Sequence, residues 1–213
     1  MLFSKDRHAM FENIAVTLSQ SLTLTRCARR FSKRGRTPSI VQRLEPRLLL
    51  TTIDLATLTA VQGTTIFGAD DGDFSGFSVS SAGDVNWDGF DDLIIGAYFG
   101  DASGNAKTNA GESYVVFGSA SLPATIDLAN LGTAGITIFG AEVQDRSGRS
   151  VSTAGDVNGD GFDDLVIGAY RADGLGNAKN DAGDSYVIFG GASLPATIDL
   201  ASLGAAGITI YGA

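Results

Sequence analysis

Two nine-residue stretches carry side chains suited to holding a metal ion. Asp84-Val85-Asn86-Trp87-Asp88-Gly89-Phe90-Asp91-Asp92 places side-chain oxygens at positions 1, 3, 5 and 9. Alternate positions converge when a chain wraps around an ion. Gly89 at position 6 allows the sharp turn, and Phe90 at position 7 can offer its backbone carbonyl. The second stretch supplies Asp156, Asn158, Asp160, the Phe162 carbonyl and Asp164. Every donor is a hard oxygen, with no Cys or His among them, which selects calcium over zinc. Three carboxylates crowd each loop, so a bound Ca2+ relieves their repulsion and adds stability by linkage. Neither stretch is an EF-hand: position 12 is Ile95 or Ile167, where that loop needs a bidentate acidic residue. The competing reading is an ordinary Asn/Asp/Gly turn that uses these side chains for local hydrogen bonds. Asp91 and Asp163, at position 8, are expected to face solvent or a neighbouring backbone. Trp87 breaks the match between the two stretches, either as an exposed ligand anchor or by packing on the adjacent turn.

Other chemistries have little to work with. Residues 51–213 contain no histidine, so no Ser-His-Asp triad can form there. The paired carboxylates sit at ion-binding spacing and are not placed for acid–base work. A non-catalytic protein is expected. Cys27 is the single cysteine, so no internal disulfide is possible. No run of 18 or more apolar residues occurs, so no membrane-spanning helix is expected.

The loops must be held by something, and the pattern around them is β and repetitive. Ala82–Tyr98 (AGDVNWDGFDDLIIGAY) matches Ala154–Tyr170 (AGDVNGDGFDDLVIGAY) at an offset of 72 residues. The same offset maps Ser113–Gly118 onto Ser185–Gly190, Ala124–Leu128 onto Ala196–Leu200, and Gly135–Ala141 onto Gly207–Ala213. An earlier copy opens at Thr52-Ile53-Asp54-Leu55. Within a unit, Thr64–Phe67, Phe77–Ala82, Leu93–Ala97 and Ser113–Phe117 read as strands separated by Gly and Asp/Asn clusters. Ile126–Leu131 is either a short helical turn or an extended linker. Four strands per repeated unit is the signature of a propeller blade. The expected fold is therefore all-β, with residues 51–134 and 135–206 as two blades with their linkers and 207–213 as the start of a truncated third repeat.

Charge divides the chain at the same place. Residues 1–50 carry ten Lys/Arg and three Asp/Glu, while residues 51–213 carry five and twenty-one. The first segment shows no useful period and is expected to be a largely disordered basic leader. Its Arg26–Arg36 cluster lacks groove-reading or stacking elements, and the acidic repeat repels phosphate, so no nucleic-acid partner is expected. Leu44-Glu45-Pro46-Arg47-Leu48-Leu49-Leu50 resembles the LEPR-XLL motif near the start of large surface or secreted bacterial proteins.

The repeat itself resembles the FG-GAP repeats of integrin α chains and of many bacterial surface proteins. The resemblance rests on Phe67-Gly68-Ala69, Gly76-Phe77-Ser78-Val79, the DxNxDGxDD loop, Leu93-Ile94-Ile95-Gly96-Ala97 and Tyr114-Val115-Val116-Phe117-Gly118. One departure is Tyr98 or Tyr170 where a proline often follows the Gly-Ala. The resemblance implies a propeller of about seven blades, calcium in the hairpin loops, and adhesion or protein binding through one face. Two units cannot close a ring of 4–8 blades, so a fragment of a longer protein, or self-association through exposed blade edges, is expected. The expected function is a calcium-binding module of a cell-surface or secreted protein that meets an extracellular or cell-surface protein or matrix ligand. The alternatives are a purely structural, calcium-stiffened repeat, or an accessory fragment of a larger extracellular hydrolase.

Overall fold

Short β-branched runs bounded by glycine become strands throughout the repeat. The computed structural model describes residues 54–59 and 62–213. The basic leader, its Arg26–Arg36 cluster, the Leu44–Leu50 motif, Thr52 and Ile53 lie outside the described residues. The strands are β1 (Thr65–Phe67), β2 (Ser78–Gly83), β3 (Asp92–Ala97), β4 (Glu112–Val116), β5 (Thr125–Asp127), β6 (Gly135–Phe139), β7 (Ser147–Gly155), β8 (Asp164–Ala169), β9 (Asp184–Ile188), β10 (Thr197–Asp199) and β11 (Gly207–Tyr211). Among the described residues the only helical segments are three-residue 3-10 turns, so the fold is all-β.

β2, β3, β4 and β6 form one antiparallel sheet in that order, and β7, β8, β9 and β11 form a second. β10 adds in parallel to the outer edge of β6, and β5 adds in parallel to β1. The four-strand unit is present, with a different membership from the one that the period suggests. Thr65–Phe67 is not its first strand. The fourth strand of the first sheet is Gly135–Phe139, and Gly207–Tyr211 is the fourth strand of the second. Register explains this: Val115 pairs with Ile136 and with Ile94, so β6 completes both the hydrogen-bond ladder and one apolar face. The linker Ile126–Leu131 combines both of its alternatives. It starts in β5 and turns at Leu128–Asn130, where the Asp127 carboxylate accepts the Ala129 N–H at 3.0 Å.

The main core lies between the two sheets. Ile94, Val115, Ile136 and Ile138 project from the first sheet, and Val151, Leu165, Ile167, Tyr186 and Ile188 from the second. Ile198, Leu200 and Leu203, from β10 and the turns after it, seal its outer margin. The other face of the first sheet packs Ile95, Tyr114 and Val116 against Ile126, Leu128 and Leu131.

Where β3 meets β7 the backbones themselves come together. A Cβ on Gly96 of β3 would collide with the Gly148 carbonyl oxygen of β7, whereas one on Gly168, the matching residue of β8, would meet only the flexible Ser150 hydroxyl. Gly96→Ala should therefore destabilise the chain by about 1–3 kcal/mol, and Gly168→Ala by clearly less. Denaturant titration of the two variants checks this difference between repeat-equivalent positions.

Candidate metal centre

Each loop of interest is a hairpin between the first two strands of a sheet. The pairing register shifts at Ser81/Gly83 and at Thr153/Gly155, a bulge placed just before the loop. Gly83 and Gly155 adopt φ of +73° and +67°, conformations that glycine takes without strain. They turn the chain out of the strand and into residues 84–91 and 156–163.

The structure brings positions 1, 3 and 5 together. The Asp84 carboxylate accepts the N–H groups of Asp88 at 3.0 Å and Gly89 at 2.9 Å. Asn86 Oδ1 accepts the Asp88 N–H, Asn86 Nδ2 donates to Asp88 Oδ2, and Asp88 Oδ1 accepts the Phe90 N–H. The second loop repeats the network. Asp156 accepts from Gly159, Asp160 and Gly161, and Asn158 bonds Asp160 in both directions. Phe162 donates its N–H to Asp160. The position-9 residues have a second occupation that their spacing does not reveal. Asp92 is buried, with Oδ2 accepting the Val85 N–H at 3.1 Å and Oδ1 the Gly118 N–H at 2.8 Å. Asp164 does the same with Val157 and Gly190. Each therefore ties its loop to the end of the third strand of its sheet. Burial pushes the Asp92 carboxyl up to about 6, against the pull of its Gly118 and Val85 N–H partners and with a further push from Asp88 and Asp84.

The donor set fits a hard cation in kind. The two ion pairs among the described residues, Lys107–Asp199 and Arg171–Asp181, involve none of the loop carboxylates. The like charges of each loop thus face one another without a protein counter-charge. Among the described residues, no three His, Cys, Asp or Glu side chains are gathered closely enough to hold an ion as they stand. Each carboxylate oxygen that accepts one N–H retains a second lone pair for a cation.

The two loops are also joined to each other. Asp163 Oδ2 accepts the Asp84 N–H at 2.9 Å, Gly191 donates its N–H to the Val85 carbonyl at 2.8 Å, and Trp87 meets the Phe162 ring edge-on at 5.8 Å. Asp163 thus bonds a neighbouring backbone, and Trp87 packs on the adjacent loop.

At the other ends of the same strands lie two features outside the loop motif. Asp73, Asp101, Glu112 and Tyr114 cluster in the first unit, and Asp145, Asp173, Asp184 and Tyr186 in the second, with Glu142 beside them. The offset of 72 residues between the sets is the signal that identifies them in the sequence. Beside them, Arg149 stacks 4.0 Å from the Phe77 ring and 5.3 Å from Tyr98. Arg146 stacks 4.6 Å from Phe99 and donates to the Tyr170 hydroxyl. Neither arginine has a basic counterpart at the 72-residue offset, so the repeat pattern does not reveal this patch.

Burial raises the Asp145 carboxyl to about 6, and Glu142, Asp184 and Asp173 push in the same direction. Its folded value exceeds its unfolded one, so the folded state binds the extra proton. Its contribution to stability falls as pH rises from about 4 to 6. Asp145→Asn keeps an oxygen to accept the Glu142 N–H. It should flatten that slope and stabilise the chain at neutral pH by on the order of 2 kcal/mol, as read from melts across the pH range.

Comparison with known proteins agrees with this geometry. Residues 75–116 and 147–188 each match the FG-GAP repeat model, covering the first three strands of each sheet and both loops. The chain is 35% identical over 122 residues to integrin alpha pat-2 of Caenorhabditis elegans, covering 56% of this chain and 9% of that protein. It is 36% identical over 98 residues to integrin alpha-5 of Xenopus laevis (45% and 8%) and 33% identical over 106 residues to integrin alpha-PS2 of Drosophila melanogaster (49% and 7%). The aligned part thus spans less than a tenth of each of these relatives. Over residues 75–116 and 147–188 the chain therefore carries two FG-GAP repeats, and it is similar to integrin α chains.

Proposed function

We propose that these repeats are two β-propeller blades, residues 78–139 and 147–211, forming a calcium-binding, non-catalytic module for adhesion or protein binding at the cell surface or in the extracellular medium. The observation that carries this reading is the doubled oxygen-only loop, whose carboxylates no lysine or arginine neutralises among the described residues. Asp84, Asn86, Asp88, the Phe90 carbonyl and Asp92 would hold one ion. Asp156, Asn158, Asp160, the Phe162 carbonyl and Asp164 would hold the other. Calcium would supply the missing positive charge and stiffen a hairpin already preorganised by its N–H network. Asp92 and Asp164 would pass that stiffness to the third strand of each sheet through Gly118 and Gly190.

The aromatic–arginine patch supports binding of a protein partner. Phe74, Phe77 and Tyr170 are exposed there beside two of the five basic residues of an acidic region. Tyr and Arg are enriched among the residues that dominate protein interfaces. Among the described residues no helix is long and apolar enough to cross a membrane.

Thermal melts of the full chain test the calcium reading. Saturating calcium, at about a hundred times its dissociation constant, should stabilise by about 2.7 kcal/mol per site over the chelated protein. Asp84→Ala with Asp156→Ala should abolish the difference. Equal melting with calcium and with chelator would instead establish the loops as ordinary Asx turns.

A further inference from the structure

The two acidic loops agree at every donor position and differ at position 4, between the asparagine at position 3 and the aspartate at position 5. The first loop carries Trp87 there and the second Gly159. Asn158-Gly159 is the one Asn-Gly bond of the chain, and every other asparagine is followed by a residue with a side chain. The backbone nitrogen after an asparagine can attack the asparagine's own amide carbon and close a ring. A side chain on the attacking residue obstructs that approach, and glycine does not.

The second loop is arranged for such an attack. Gly159 holds φ at +79°, and no atom lies within 4 Å of where its Cβ would be. Its N–H donates to Asp156 Oδ1 at 2.7 Å, a charged acceptor that draws the proton away from the attacking nitrogen. Asn158 Oδ1 accepts the Asp160 N–H at 2.9 Å, a donor aimed at the oxygen on which charge develops as the nitrogen adds. The leaving nitrogen, Asn158 Nδ2, donates to Asp160 Oδ2 at 2.8 Å, so ammonia departs beside a carboxylate. Asn158 and Gly159 are both exposed, and water reaches them. The first loop shares the contacts between Asn86 and Asp88 but not those at position 4. There Asp84 accepts from Asp88 and Gly89 and not from Trp87, whose indole stands on the residue that would attack.

We propose that Asn158 is a site of spontaneous deamidation in the folded, metal-free loop, and that Asn86 is not. The Gly159 nitrogen bonds to the Asn158 amide carbon, the bond from that carbon to Nδ2 breaks, and ammonia leaves with the proton that the Gly159 nitrogen gives up. The cyclic imide so formed is opened by water. Addition at the side-chain carbonyl leaves an aspartate at position 158, and addition at the main-chain carbonyl leaves an isoaspartate; nothing is oxidised or reduced. The aspartate form has four carboxylates at positions 1, 3, 5 and 9 in place of three, still with no protein counter-charge among the described residues. The isoaspartate form lengthens the backbone by one methylene and displaces Asp160 from its contacts with position 3. Two loops of nearly the same sequence therefore diverge in charge and shape as the protein ages. Deamidation of the metal-free loop does not depend on calcium binding, and each can fail without the other.

Incubation of the full chain with chelator at neutral pH, followed by peptide mass spectrometry, tests this. The peptide carrying Asn158 should pass from the amide to the acid mass and split into two chromatographic species of equal mass, with one ammonia released per chain. The peptide carrying Asn86 should keep its amide over the same period. Gly159→Trp should protect Asn158, and Trp87→Gly, at a position that is 72% exposed, should make Asn86 react as well. The same incubation in denaturant shows the reaction of the Asn-Gly bond without the loop. An Asn158 that keeps its amide in the folded chain while the denatured chain converts, or equal conversion at Asn86 and Asn158, would overturn the inference.

Discussion

Each four-stranded sheet is apolar on both faces, and neither face can be buried within the sheet. β3 reads Leu93-Ile94-Ile95, sending Ile94 to one side and Leu93 and Ile95 to the other, and β4 and β6 extend the two faces. Burial must come from a neighbouring sheet or from a linker laid across the edge. That requirement explains why the linker strand β10 leaves its own unit to pair in parallel with β6, the outer strand of the preceding one. It also explains the glycine at Gly96. The two sheets share a core, and where β3 meets β7 the Gly148 carbonyl leaves no room for a side chain.

The acidic loops sit on the rim of this shared core and are part of its cohesion. Asp92 and Asp164 fasten each hairpin to the end of the third strand, while Asp163 and the Val85 carbonyl fasten one hairpin to the next unit. The loops are thus hydrogen-bonded to backbone of both sheets. The opposite ends of the strands carry a different electrostatic load. There the half-buried Asp145 carboxylate lowers stability when it ionises, and Arg146 and Arg149 lie over aromatic rings.

Much of this was legible in the sequence because the repeat states it twice. The 72-residue offset locates both loops, and period-two alternation with β-branched runs identifies the strands. The resemblance to FG-GAP repeats rests on the same segments that the family comparison matches. Strand membership was not legible, because Gly135–Phe139 and Gly207–Tyr211 are sited by a long-range register that no local pattern carries. The second role of Asp92 and Asp164 was hidden for a similar reason. Their partners at Gly118 and Gly190 are 26 residues away, and a backbone N–H leaves no mark in the sequence. The arginine–aromatic patch gathers residues from both units, so a pattern confined to one unit could not show it.

On the proposed reading, the two hairpin loops are cation sites built into the joint between sheets. Calorimetric titration of calcium into the full, chelator-treated chain tests it most directly. Two ions per chain are predicted, falling to one when either Asp84 or Asp156 is replaced by alanine. No heat of binding at millimolar calcium, or a stoichiometry indifferent to both substitutions, would contradict it.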